Sequence, residues 1–223
     1  MNHTLTLSIL LLSSACVLEP QQLDFTILRQ GDPAALVATD VAKGKTYPVA
    51  LSAGEMLLNE VRVDGFDRSF GPGEFVFVSA FAQKSFDFIG QDKLQSERLD
   101  ITDFFMSRLD AIDATVSFAE STLTLTGVVT LTSGAQVNLT VDIDDSPRVS
   151  SEIFAGVTAG DLPGLFVGQI SFDLTTLLDD VDFDSLAGAG DIVINKGSGD
   201  PAIDAALATI QENLFGAFSP LDL

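Results

Sequence analysis

The chain has 223 residues, a formal net charge of −21 and an apolar content of 46 %, to which 17 Phe contribute, so a single core has ample material while nucleic acid and anionic lipid surfaces are poor partners. It contains one cysteine (Cys16), one histidine (His3), one tyrosine (Tyr47) and no tryptophan. A disulfide framework is therefore excluded. If the N-terminal stretch is removed, so are a Ser-His-Asp triad, a His-ligated zinc site and a histidine general base. The scarcity of Trp and Tyr weighs against sugar-stacking subsites and against the aromatic girdles of a membrane β-barrel.

The chain opens on Leu5–Cys16, LTLSILLLSSAC. This apolar run falls short of the ~20 residues that span a bilayer and suits the core of a secretory signal. Ser13, Ser14 and Ala15 then lead to Cys16, an ending that resembles the lipobox of bacterial lipoproteins, where the signal is cut before a cysteine that receives lipid. It departs from that pattern in two ways: Leu12 sits one place early, and Met1–Thr4 carries no Lys or Arg. The other reading is an ordinary signal cut near Ala15. Both readings export the mature protein. The resemblance implies a signal over 1–16 and a short tether over 17–22. It further implies a membrane partner reached through lipid on Cys16. Val17 is not the Asp that favours inner-membrane retention in enterobacterial lipoproteins, so the expected address is the outer membrane.

From residue 23 onward the pattern predicts one domain, 23–223. Leu23–Arg29 alternates and closes at Gly31-Asp32-Pro33, as a first strand does; Leu36–Thr39 reads as a second. Tyr47–Ala53 and Met56–Val63 read as two strands interrupted at Gly54, the latter ending at Asp64-Gly65, with a further turn at Gly71-Pro72-Gly73. Glu74–Phe81 is apolar on both faces, which suits a strand covered on both sides, and Ser85–Ile89 follows as another. Thr102–Ile112, with Thr102 as a cap and Phe105, Leu109 and Ile112 at helical spacing, predicts a short crossover helix.

Thr115–Phe118 begins a strand whose apolar parity flips near Glu120-Ser121, which predicts a turn or a bulge. Next comes the sharpest signal in the chain. Leu123, Leu125, Gly127, Val129 and Leu131 alternate with threonines at 122, 124, 126, 130 and 132, Ser133-Gly134 breaks the run, and Ala135, Val137, Leu139, Val141 and Ile143 resume it. Two such runs across a glycine break predict a β-hairpin with one solvated face. Asn138-Leu139-Thr140 matches a glycosylation triplet but reads as strand surface. Gly164–Leu174 predicts a strand, Thr175–Val181 a short helical turn and Asp191–Asn195 a short strand. A closing helix at about 200–216 follows from Asp200 as cap, Pro201 at the first position and the stripe Ile203, Leu207, Ile210 and Leu214, with Phe218 beyond it. The expected fold is mainly β: an antiparallel β-sandwich with one short crossover helix and a C-terminal packing helix.

One constellation carries chemistry. Asp180, Asp182, Asp184 and Asp191 fall at positions 1, 3, 5 and 12 of an EF-hand-like frame, a spacing at which oxygen ligands hold calcium. Ser185 stands where that loop turns on Gly, Asp191 is shorter than the usual Glu, and Val181 and Phe183 are apolar where the loop is wet. The competing reading makes Val181 and Phe183 inward anchors with the aspartates solvated between them. Asp142, Asp144 and Asp145 form a second acidic group at the hairpin exit. With 32 acidic residues, carboxylate pairs by themselves say nothing about glycoside hydrolysis. An acidic surface is also what adaptation to salt produces.

The strand-hairpin segment Thr115–Asp144, the run Leu177-Leu178-Asp179-Asp180-Val181-Asp182-Phe183 and the closing helix Ile203–Phe218 together resemble secreted bacterial β-sandwich lipoproteins. The closing part is similar to the periplasmic copper-protein family associated with methanobactin. The resemblance covers the second half of the chain and implies an exported sandwich. Copper chemistry is not implied, because Met56 and Met106 are isolated and the mature chain has no histidine. The function expected is a membrane-tethered, non-enzymatic binding or structural module with no cofactor, no nucleic-acid partner and an unknown protein partner. The alternatives are a calcium-dependent surface module using Asp180, Asp182, Asp184 and Asp191, and a carrier of an apolar ligand built on the Phe-rich strands.

Overall fold

Alternation of apolar and polar residues along extended chain forces two-sided sheets, and two of them account for most of this molecule. The computed structural model describes residues 21–66, 74–79, 84–95, 99–101, 111–144, 148–155, 165–188 and 190–220. In chain order these form β1 (Gln21–Gln30), β2 (Leu36–Asp40), β3 (Lys45–Phe66), β4 (Glu74–Ser79), β5 (Lys84–Asp87), β6 (Lys93–Gln95), β7 (Leu99–Ile101), β8 (Ala111–Thr130), β9 (Gln136–Ile143), β10 (Arg148–Ala155), β11 (Leu165–Asp173), α1 (Phe183–Leu186), β12 (Ile192–Asn195), α2 (Pro201–Gly216) and β13 (Phe218–Pro220).

The larger sheet runs β12-β9-β8-β3-β2, with β10 also on β8 and β4 and β5 on β3; the smaller runs β13-β11-β1-β6, with β7 on β1. The fold is thus mainly β in a two-sheet, sandwich-like arrangement, as expected. Among the described strands, pairing is antiparallel except for β1 with β11 and β9 with β12, which are parallel. The period-two pattern could not reveal those two pairs, because both join strands far apart in sequence.

The spine of the larger sheet is β3 against β8, 22 and 20 residues long, and each changes partner along its length. Near its start β3 pairs with β2, then with β5, then with β4; β8 pairs first with β10, then with β9. Two sequence readings are corrected here. Gly54 does not interrupt a strand, and β3 continues past Asp64-Gly65 to Phe66. A Cβ on Gly54 would lie 2.3 Å from Phe88 Cε2, so this glycine makes room for a core ring inside the strand. The parity flip near Glu120-Ser121 is a bulge within β8: Leu58 pairs with Phe118 and Met56 with Leu123, so four residues of β8 lie opposite Leu57 alone.

The predicted hairpin forms in register from Leu123↔Ile143 to Thr130↔Gln136, and Leu131 N–H closes its loop on Ala135 C=O at 2.8 Å. Gly134 sits in that loop at φ +85°, the left-handed region that a side chain resists. Leu123, Leu125, Val129, Leu139, Val141 and Ile143 are buried while Thr124, Thr126, Asn138 and Asp142 are exposed, as the alternation required.

Of the predicted crossover helix, residues 102–110 lie outside the described residues, and Ala111 and Ile112 open β8 instead. The turn at Gly71-Pro72-Gly73 also lies outside them. Thr175–Val181 is a series of bends and turns, and the one helical turn in this segment comes later, at Phe183–Leu186. The closing helix stands as expected. Asp200 accepts Ala202 N–H at 2.9 Å, Pro201 opens the first turn, and Ala206, Leu207, Ile210 and Leu214 are buried. Phe218 belongs to β13.

One apolar cluster joins both sheets and α2. Its aromatic thread runs from Phe86 to Phe88 (ring centroids 6.2 Å), to Phe172 (5.4 Å), to Phe218 (4.9 Å, stacked), crossing from the larger sheet to the smaller. Such ring pairs add roughly 0.5–1.5 kcal/mol each beyond the area they bury. Among the described residues, no helix is long and apolar enough to cross a membrane.

Candidate functional site

The acidic run lies on the connection from β11 to β12, and its apolar residues decide where its aspartates go. Leu174, Leu177, Leu178, Val181 and Phe183 are each at most 2 % exposed, so this stretch is stitched to the core at five points. The residues between them, Asp179, Asp180, Asp182 and Asp184, are left at the rim of the sandwich, facing the β2–β3 hairpin. Val181 and Phe183 are therefore inward anchors. The aspartates between them are not simply solvated.

Asp179 and Asp180 bond to the outer edge of β2. Asp179 Oδ1 accepts Thr39 N–H at 2.8 Å, Asp180 N–H donates to Thr39 C=O at 2.9 Å, and Asp180 Oδ1 accepts Val41 N–H at 3.0 Å. Asp180 adopts φ +59°, the only described non-glycine residue at positive φ, and Asp tolerates this region better than most residues. From the other side, Asn213 of α2 donates its amide to Asp179 C=O at 2.8 Å and to Leu177 C=O at 3.3 Å. Burial pushes the Asp179 carboxyl above its usual range, against the pull of the Thr39 N–H.

Asp182 gathers the densest set of donors. The Lys43 ammonium bonds to Oδ2, while the Lys45 ammonium (3.1 Å) and the Tyr47 phenol (2.8 Å) both bond to Oδ1. Its side chain is only 15 % exposed. Burial opposes its ionisation, but the bonds from Lys43, Tyr47 and Lys45 outweigh that and hold its carboxyl well below the usual range. Tyr47 is fully buried and meets Phe183 edge-on at 5.3 Å. Burial first, then its bond to Asp182, pushes the phenol up to about 12. Lys45 also reaches Asp184 Oδ2 at 3.0 Å, and the bonds to Asp184 and Asp182 raise its ammonium pKa. Asp184 in turn accepts Thr132 N–H at 3.1 Å and Thr132 Oγ1–H at 2.6 Å, which hold its carboxyl below the usual range and tie this segment to the β8–β9 loop.

Of the four residues in the EF-hand-like frame, only Asp182 and Asp184 come together, and they do so on Lys45. Asp180 faces the β2 edge, and Asp191 accepts the Asn138 amide at 2.9 Å on the β9 surface. Among the described residues, no three His, Cys, Asp or Glu side chains converge as a group able to hold a metal ion. The spacing is met in sequence, while in the structure backbone N–H groups, ammoniums and a phenol bond to the carboxylate oxygens of Asp180, Asp182 and Asp184. In the second acidic group, Asp142 and Asp144 are exposed, and Asp145 lies outside the described residues, as does Cys16.

The sequence reading missed Lys43, Lys45, Tyr47, Thr132 and Asn213. A signal for three of them was present. The only tyrosine and two of the 11 basic residues recur at every second position of one hairpin in a chain of charge −21.

A separate open depression of about 490 Å³ lies on the outer face of the larger sheet, lined by Ser52, Glu55, Asp87 and Thr124 among others. Its lining mixes these polar side chains with Ala53, Ile89 and Leu125, and it is open to solvent rather than enclosed. Comparison with protein-family models, curated proteins and solved structures gave no match to this chain.

Proposed function

We propose that this chain is an exported, lipid-anchored β-sandwich that serves as a non-enzymatic binding or structural module of a bacterial envelope, held at the outer membrane by lipid on Cys16. One observation carries the reading: the chain's only cysteine stands at the end of the apolar run Leu5–Leu12, behind Ser13-Ser14-Ala15. β1 begins at Gln21, so four residues, Val17 to Pro20, separate Cys16 from the first strand. A fully extended tether of that length spans roughly 14 Å at most, which keeps the sandwich against the membrane surface. The resemblance of the second half to secreted β-sandwich lipoproteins supports the same address. The non-enzymatic reading is supported by the loss of His3 with the signal and by the engagement of the acidic segment with its own protein neighbours.

The test is metabolic labelling of the full chain in a bacterial host with an alkyne analogue of palmitate, combined with mass analysis of the mature N-terminus. Label on a chain that begins at Cys16, and its loss together with membrane association in Cys16→Ser, is the expected result. A mature protein carrying an unmodified Cys16 thiol overturns the anchor.

A further inference from the structure

Among the described strands, β2 is the last of the larger sheet, and an end strand presents unpaired backbone groups that another strand can join. In an antiparallel pair alternate residues turn their N–H and C=O away from the partner. On β2 these are the residues in step with Thr39, whose N–H and C=O are both engaged on the side away from β3. Two exposed large apolar residues lie here, Val37 on β2 at 53 % and Val41, the first residue of the β2–β3 turn, at 74 % exposure. An apolar, outward-facing end strand is the arrangement most open to pairing with a copy of itself.

We infer that the Asp179–Asp180 segment is a built-in guard that occupies the β2 edge and keeps it from pairing with a second copy of this chain. The segment meets the edge as a strand would, but for two residues only. Thr39 N–H is taken by the Asp179 carboxylate, Thr39 C=O by Asp180 N–H, and Val41 N–H by the Asp180 carboxylate. Side-chain oxygens replace two of the carbonyls that an incoming strand would bring. Asp180 at φ +59° then turns the chain off the edge, so the guard presents no further strand of its own. Asn213 holds the guard from α2, through Leu177 and Asp179 carbonyls, and Asp182 anchors it beyond the turn through Lys43 and Lys45. The edge is thus closed by a segment that is itself held from α2 and from the β2–β3 hairpin. This device is independent of the lipid anchor.

The experiment compares the full chain with Asp179→Ala/Asp180→Ala, both purified in dodecyl maltoside, by amide hydrogen exchange and sedimentation velocity. The expected result has two parts. Exchange at Thr39 and Val41 accelerates at least about tenfold while Ala38 and Asp40 keep their protection. The variant also forms a dimer whose fraction rises with concentration, and adding Val37→Lys returns it to the wild-type mass. Asp179→Asn/Asp180→Asn, which keeps an acceptor oxygen at each position, behaves as wild type. Unchanged exchange at Thr39 and Val41, or faster exchange without any gain in mass, overturns the guard. If the double Ala variant does not fold, Asn213→Ala loosens the segment from α2 without touching β2. It should accelerate the same two amides and raise the mass; failure of either change overturns the inference equally.

Discussion

Removing Asp182 strands a buried phenol. Tyr47 is fully buried, and its O–H points at Asp182 Oδ1 from 2.8 Å. In Asp182→Ala that donor loses its acceptor, and leaving a buried donor unsatisfied costs about 1–3 kcal/mol. Lys43 and Lys45 reach water and are re-solvated, so their loss adds little. A fall of about 2 kcal/mol corresponds, in a chain of this length, to a drop of roughly 4–8 °C in Tm. Asp182→Asn keeps an acceptor oxygen and loses only the charge assistance, for about half that cost. Tyr47→Phe removes donor and need together and costs about 1 kcal/mol, and combining it with Asp182→Ala falls short of additivity by roughly 1 kcal/mol. Urea unfolding followed by far-ultraviolet circular dichroism reads all four stabilities.

Titration supplies an independent readout, because Tyr47 is the only tyrosine and there is no tryptophan. Absorbance at 295 nm should show ionisation near pH 12 in the folded protein, against about 10 once it is unfolded. A folded pKa raised above the unfolded one gives stability that is complete below pH 10 and lost as pH rises through 10 to 12. The raised Lys45 ammonium acts in the same direction at slightly higher pH. Asp182, lowered in the fold, contributes stability that is present above the ordinary carboxylate pKa of 3.8 and is lost as pH falls below it. Additive costs for Tyr47→Phe and Asp182→Ala, with Asp182→Asn as damaging as Asp182→Ala, would refute this account of the network.

Gly54→Ala places a methyl 2.3 Å from Phe88 Cε2, and Phe88 is itself held against Phe86 and Phe172, so thermal melts should show a loss of about 1–3 kcal/mol. Gly127→Ala meets Ala50 C=O at 2.4 Å, and because a backbone atom cannot swing aside its loss should be the larger of the two. Asp200→Ala removes the acceptor for Ala202 N–H and should cost about 1 kcal/mol in urea unfolding, with α2 exchanging faster at its first turn. In a melt of the full chain at fixed ionic strength, calcium and magnesium should give the same small shift over EDTA. A rise with calcium alone that disappears in Asp182→Asn would show that the ion competes successfully with Lys43, Lys45 and Tyr47.

The fold was legible wherever a sheet face alternates in step with burial. The Leu123–Ile143 hairpin could be read residue by residue because one face is packed and the other is wet, and helix α2 because its cap, its proline and its apolar stripe agree. The readings failed where tertiary contact overrides a local signal. Gly54 carries the mark of a strand breaker, yet the space is needed by Phe88, which comes 34 residues later and is invisible to any local window. The two parallel pairs share this cause. β1 pairs with β11 over nine positions from Gln22↔Leu165 to Gln30↔Asp173, and nothing in either strand names the other.

The acidic segment shows that spacing alone leaves two arrangements open. Carboxylates at every second residue are what a calcium loop needs, and they are also what results when Val181 and Phe183 are both driven inward. The two cases differ in what faces the carboxylates. A metal loop turns its oxygens towards each other and leaves the centre for the ion. Here the oxygens turn outward onto Thr39, Val41, Lys43, Lys45, Tyr47 and Thr132, from β2, β3 and the hairpin loop. The partner set was already written in the β2–β3 hairpin, where Lys43, Lys45 and Tyr47 stand two residues apart with the same period as Asp180, Asp182 and Asp184. Two acidic and basic runs of matching period, 135–139 residues apart, bond across the sandwich rim. The acidity of this stretch is therefore accounted for by contacts within the chain, and those contacts close the β2 edge.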